Sequence, residues 1–190
     1  MQNLIKPRRN FLAVSSTSVL SAAAVALLAG RAAPAHAQTA SMGDVNILNV
    51  ALGLEHEAIC AYELGAKSGL LQKPVLDVAV LFQSHHKGHR DALIAAINSL
   101  GGKPVEMKSL DDYAKALNAG SLKNQTDVLM LAARLELGAT NAYLGVIPAF
   151  KDAKLGQVAA RLAADETMHW TALSTTLSHA LPSNALSFGA

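Results

Sequence analysis

The 190 residues carry 16 Lys and Arg against 14 Asp and Glu, and a single cysteine. Four of the basic residues (Lys6, Arg8, Arg9, Arg31) and none of the acidic ones precede Gln38, so residues 38–190 have a net charge of −2. That balance gives no reason to expect nucleic acid as a partner, and one thiol, Cys60, allows no internal disulfide.

The chain opens on an address. Arg8-Arg9 is followed by Asn10-Phe11-Leu12, an apolar run spans Ala13 to Leu28, and Ala35-His36-Ala37 closes it as an A-x-A cleavage site. A basic start, a short apolar run and a small-residue exit make a secretory signal over residues 1–37. The Arg-Arg-x-Phe-Leu order is similar to the twin-arginine type, which predicts a periplasmic or otherwise exported protein with no membrane anchor after cleavage. A retained anchor is the alternative, disfavoured by the shortness of the run and its Ala, Ser and Thr content. Residues 38–190 suffice for one domain.

Four long segments then show apolar residues at helical spacing. They run from about Asp44 to Lys67 (ended by Ser68-Gly69), from Pro74 to Gly101-Gly102, from about Thr126 to Ile147, and from about Asp152 to Ala180. Pro74 suits a first helical turn, and Pro148 and Pro182 mark helix ends. The first two and the last two segments are joined by short links. A long connection, about Lys103 to Lys123, separates the pairs and holds one weak helical piece around Leu110–Leu117. Two helical hairpins joined by one long crossover is an all-α, ferritin-like four-helix connectivity. The tail from Leu181 to Ala190 is expected to be loose.

An internal repeat falls on the charged residues. Leu54-Glu55, Ala58 and Ala61-Tyr62 recur as Leu135-Glu136, Ala139 and Ala142-Tyr143, offset by 81. His86, His89, Ala92 and Leu93 recur as Glu166, His169, Ala172 and Leu173, offset by 80. Each hairpin therefore presents a Glu on its first helix and a pair spaced i, i+3 on its second. The stripes that carry them are otherwise largely apolar: Leu48, Leu52, Ile59 and Tyr62 around Glu55, and Phe82 and Leu93 around His86 and His89. Leu129, Ala133 and Tyr143 flank Glu136, and Leu162 and Leu173 flank Glu166 and His169. A carboxylate buried in such a stripe must be paired or coordinated. No Lys or Arg shares the stripes, so a bound metal ion is the simplest cation. Glu55, His86, His89, Glu136, Glu166 and His169 are the expected metal ligands. His85 lies one residue off the stripe, opposite Asp165 in the repeat, and reads as rim or surface. Glu57, Glu63, His56 and His179 read as solvated, and Cys60 as a small core residue.

These residues resemble the ferritin-like superfamily, bacterioferritins and rubrerythrins especially, over about Asp44 to Ala180. That family carries Glu, Glu-x-x-His, Glu and Glu-x-x-His on its four helices. Glu55, Glu136 and Glu166-x-x-His169 fit, while His86 stands where the family has a Glu that usually bridges two irons. The resemblance implies one or two ions, iron or manganese foremost, and oxidase, peroxidase or catalase-like chemistry on oxygen or peroxide. No catalytic residue is assigned. The substitution of an imidazole leaves three carboxylates and suits Zn, Cu, Ni or Fe better than Ca or Mg. Tyr62 and Tyr143 would hydrogen-bond ligand carboxylates or pass electrons; core packing alone also explains them. Metal binding without turnover, and a metal-free structural or stress-related bundle with Glu and His satisfying one another, are the competing functions. A homodimer is a further expectation.

The signal reading makes a checkable statement. The exported protein should begin at Gln38, and changing both Arg8 and Arg9 to Lys should leave precursor in the cytoplasm. Cell fractionation showing normal export of that double variant would exclude the twin-arginine route.

Overall fold

The computed structural model describes residues 37–189. The expected signal segment lies, but for Ala37, outside them. Among the described residues the chain is all-helical, with α1 at Ala37–Lys67, α2 at Lys73–Ser99, α3 at Leu110–Ala116, α4 at Gln125–Val146 and α5 at Ala153–Thr176. Short 3₁₀ turns stand at Ala119–Ser121 and Ile147–Ala149. None of the helices is long and apolar enough to cross a membrane.

The ends of the helices follow from local chemistry. Pro74 occupies the first turn of α2, where its missing N–H costs nothing. Gly101 takes φ +75° just beyond that helix, the Gly102 N–H donates to the Ile97 carbonyl and the Gly101 N–H to the Asn98 carbonyl. This pair of bonds satisfies the last carbonyls of α2. The side chains of Asn124 and Asp152 accept the backbone N–H groups of Asp127 and Lys154, capping α4 and α5. Helix α1 begins at Ala37, earlier than the expected Asp44. Helix α5 ends at Thr176 rather than Ala180. There Ser178 turns to φ +57° and the His179 N–H donates to the Ser174 carbonyl, so the chain leaves the helix by the same device as α2, without a glycine.

α1 packs along α2, α4 packs along α5, and α1 also meets α4 and α3. Gln83 Nε2 donates to the Ile59 carbonyl and Asn49 Nδ2 to the Lys103 carbonyl, tying α1 to α2 and to the connection beyond it. Buried Asp44 accepts the N–H groups of Lys151 and Asp152 at 2.9 and 3.2 Å, which fixes the entry of α5 against α1. Two apolar clusters fill the interior. Leu48, Leu52, Leu93, Ile97, Tyr143, Leu155 and Leu162 belong to one, and Tyr62, Phe82, Leu129, Ala133 and Leu173 to the other. In each long helix the charged positions lie between the two. Cys60 is buried with Tyr113, Leu117 and Leu131 where α3 covers the bundle.

The tail is not loose as expected. Phe188 stands edge-on to Trp170 with ring centres 5.3 Å apart, and the Gly189 N–H donates to Asn141 Oδ1. The sequence offers no helical period there. What holds the segment is the apolar surface of Trp170 and one amide.

Ser178 carries the strain of a left-handed residue with a Cβ, a conformation that costs about 1–2 kcal/mol outside glycine. Ser178→Gly should therefore raise the unfolding free energy by about 1 kcal/mol. A urea titration should show the midpoint move up with an unchanged slope.

Candidate metal centre

The six residues singled out by the repeat come together in one buried cluster. Glu55, His86, Glu136, Glu166 and His169 are each at most 1 % exposed, and His89 is 7 % exposed. His86 sits at the centre rather than turning outward: its Nδ1 is 2.8 Å from Glu55 Oε2 and its Nε2 is 3.2 Å from Glu136 Oε1. His89 Nδ1 is 3.1 Å from Glu166 Oε1, and His169 Nδ1 is 3.2 Å from Glu166 Oε2. The tyrosines complete the set from the two apolar clusters. Tyr62 donates to Glu136 and Tyr143 donates to Glu55, each onto Oε1.

Two overlapping groups have the right atoms close enough to hold an ion. One is Glu55, His86, His89 and Glu166; the other is His86, Glu136, Glu166 and His169. The ligand atoms of each lie within 4.8 Å of one another. Applying the offsets of 81 and 80 to the first group returns the second, with His86 and Glu166 exchanging places. The donor set fits a divalent ion. It combines imidazole nitrogen with carboxylate oxygen, and no lysine or arginine among the described residues pairs with these carboxylates. Buried Glu136 Oε2 has no hydrogen-bond partner, with His169 Nδ1 standing 3.4 Å away. An orphaned buried carboxylate oxygen is a vacant ligand position in an otherwise satisfied cluster.

Electrostatics in the metal-free cluster come from these contacts. Burial pushes Glu55 up, but the hydrogen bond from His86 and the nearby imidazole of His89 outweigh it and hold the carboxyl at about 2. Glu136 is likewise lowered, burial being outweighed by the nearby imidazole of His169 and the hydrogen bond from His86. Glu166 is raised, because burial dominates over its bonds from His169 and His89. Burial works against imidazolium, yet the carboxylates carry His86 to about 10 and His89 to about 12, and raise His169. Both tyrosines are held well above their ordinary value by burial and the neighbouring carboxylates, so they are hydroxyl donors.

Two further residues belong to the site. Asp165 Oδ2 accepts from His89 Nε2 at 3.1 Å, and His85 Nδ1 is 2.9 Å from His169 Nε2. His85 is thus at the rim, as expected, but half-buried and bonded to the site, its ring stacked on that of His169. The bond from His89 lowers Asp165; burial and His169 lower His85, which therefore accepts from His169. Both outer nitrogens are held so that both Nδ1 atoms face the cluster. The signal was present: His85 and Asp165 are repeat partners, and a histidine that binds metal usually gives its other nitrogen to a second group. His56 corrects an expectation outright. It is 3 % exposed rather than on the surface, with its Nδ1 unpartnered and its imidazole kept neutral by burial. Its repeat counterpart is Leu137, an apolar residue, which marks the position as inward. Glu57 and Glu63 are half-buried, Glu63 pairing with Lys67, and His179 is exposed.

The profile of the ferritin-like domain family matches residues 43–179, most of the chain, and the protein belongs to that family. Neither the curated proteins nor the solved structures give a match.

The raised imidazoles stabilise the fold fully below their ordinary value near 6.5 and lose that contribution as pH rises toward 10–12. Lowered Glu55 contributes fully above 4.5 and loses it as pH falls toward 2. Chelator-treated protein should accordingly melt highest between about pH 4.5 and 6.5 and progressively lower from pH 7 to 10. Thermal denaturation across that range checks this; a flat or rising melting temperature above pH 7 contradicts imidazolium in the cluster.

Proposed function

We propose that this ferritin-like chain is an exported metal-binding protein. Its centre holds one or two iron or manganese ions and reacts with oxygen or peroxide, or carries metal, in the periplasm. The observation that carries the reading is the convergence of the six residues into two exchange-related ligand groups within an apolar interior. The finer architecture belongs to the same reading: α1–α2 and α4–α5 are repeated antiparallel hairpins joined by one crossover, with a pseudo-twofold axis through the cluster. Pairs such as Tyr62 with Glu136 and Tyr143 with Glu55 support it.

A bound ion of this kind supplies redox or Lewis-acid chemistry at the cluster. Glu55, His86, His89 and Glu166 would hold one ion, and Glu136, Glu166 and His169 would complete a second place with His86. Tyr62 and Tyr143 engage one oxygen of each outer Glu and leave the other facing inward. Asp165 and His85 fix the tautomers of His89 and His169. Apolar clusters lie on either side. A neutral imidazole normally serves one ion, so His86 favours one tightly held ion over an equally held pair.

One observation favours the metal-free alternative. Three carboxylates and three imidazoles nearly satisfy one another, so the bundle can close over the cluster as an internal salt-bridge network.

Elemental analysis of protein purified from its native periplasm separates these readings, and a value well below one ion per chain would favour the network. His86→Ala should weaken metal affinity at least as much as the roughly 10–100-fold that loss of an outer partner costs. A titration of His86→Ala that overlays the parent would remove His86 from the site. His86→Glu should raise occupancy by a second ion, because a carboxylate bridges and its charge offsets the extra cation. Peroxide consumption and oxygen uptake by the loaded protein then distinguish turnover from carriage.

A further inference from the structure

At the end of the fold where α1 meets α2, beyond the Tyr62 and Phe82 side of the cluster, lies a cavity of about 280 Å³. Its walls are Val75, Ala79, Phe82, Leu129, Ala132 and Leu173. No charged side chain lines it. The two hydroxyls that do are already used, Tyr62 donating to Glu136 and Thr176 to the Ala172 carbonyl. The mouth is flanked by exposed Pro74, Val78 and Ala172, and the inner end by buried Tyr62 and Phe82. Both inner residues touch the cluster: Phe82 stacks on His169 with ring centres 4.1 Å apart, and Tyr62 leans on His86 at 5.4 Å.

The internal repeat supplies its own control. The corresponding position in the other half is lined by the counterparts of these residues, Tyr143 for Tyr62, Leu162 for Phe82, Leu48 for Leu129 and Ala51 for Ala132, and it encloses only about 10 Å³. Two substitutions between the copies accompany the difference: Val146 stands where the open half has Gly65, and Leu155 where it has Val75. The architecture therefore packs shut when the side chains allow it, and one half has the smaller residues that leave it open.

An apolar space of this kind does not hold water well and takes up apolar molecules. We propose that it is a binding site for an uncharged apolar small molecule, an alkyl chain or compact ring system. At the ~30 Å³ that a water-sized group occupies in a liquid, the volume admits roughly ten heavy atoms. The ligand enters past Val78 and Ala172 and stops against Tyr62 and Phe82, one side chain from the carboxylate–imidazole cluster.

The test is a calorimetric titration of the isolated protein with n-nonanol, an uncharged alkyl chain of about ten heavy atoms. One saturable site per chain is expected. Ala132→Phe, which fills the body of the cavity, and Ala172→Trp, which covers its mouth from an exposed position, should each weaken binding at least tenfold at unchanged helicity. Should Ala132→Phe fail to fold, Ala172→Trp decides alone. Non-saturable binding, or parent affinity in the folded variants, overturns the proposal. So does binding that is lost as the protein dimerises at higher concentration, which would mean a second copy covers the mouth. Probe and variants leave all six cluster residues untouched, so the outcome is independent of whether the cluster holds metal.

Discussion

Everything else in this molecule is arranged around charges that have been taken out of water. Glu55, Glu136 and Glu166 are at most 1 % exposed and sit between two apolar clusters. An isolated carboxylate cannot stay ionised there. The interior therefore needs positive charge at the same level, and among the described residues His86, His89 and His169 are the side chains placed to give it. The arrangement is interdependent. Removing one member of such a buried network typically costs about 3–5 kcal/mol, because its partner is left charged and alone. It is also convertible: imidazolium that neutralises the carboxylates and a metal ion that does so are alternatives, exchanged by releasing protons.

The supporting residues make sense as a consequence. Each outer Glu has one oxygen held by a tyrosine that reaches it from another helix, Tyr143 to Glu55 and Tyr62 to Glu136. Each outer His has its Nε2 held by the residue preceding the i, i+3 pair on the other of helices α2 and α5, Asp165 for His89 and His85 for His169. Orientation is thereby fixed from outside, and the inward-facing atoms are two carboxylate oxygens and two Nδ1 nitrogens, with His86 and Glu166 between them. Asp44 does the equivalent for the backbone, gripping two N–H groups at the entry of α5. A cluster whose members are individually restrained is better prepared to receive an ion than one that must first rearrange.

Much of this was legible in the sequence because the relevant signals are periodic. Every residue placed on the α1 stripe, from Leu48 to Tyr62, is buried, and the helix limits differ mainly at the start of α1 and the end of α5. The six cluster residues were found because a duplicated pattern shows each position twice. The failures share one cause: a helical period says which face a residue is on but not what covers that face. His56 looked exposed because the repeat gives it no polar partner, Leu137 standing at the matching position, yet it is buried. His85 stands at the rim as expected, but the period gives no sign that an imidazole one residue off the stripe still reaches His169. The tail carries no period at all, so nothing in its pattern announced Phe188 against Trp170.

The two halves agree in what orients the cluster and differ in what surrounds it. Their shared features, the Glu–Tyr pairs and the inward histidines, are those that any ion-binding or self-paired cluster requires. Their differences lie at three levels around it. At the centre, His86 faces Glu166, so one place in the cluster is poorer in negative charge than its mirror. At the rim, His85 faces Asp165, so His169 is held by a neutral acceptor while His89 is held by a carboxylate. At the ends, Gly65 and Val75 leave a cavity where Val146 and Leu155 fill one. The second difference gives His89 a carboxylate on its outer nitrogen where His169 has an imidazole. The third places the open, apolar approach on the Tyr62–Phe82 side, against His169 rather than His89. An ion in the group containing His169 would thus be the one nearest the cavity, held by the histidine with the weaker outer partner. The two halves of the repeat are in this way inequivalent about the cluster, and the cavity lies on one side of it.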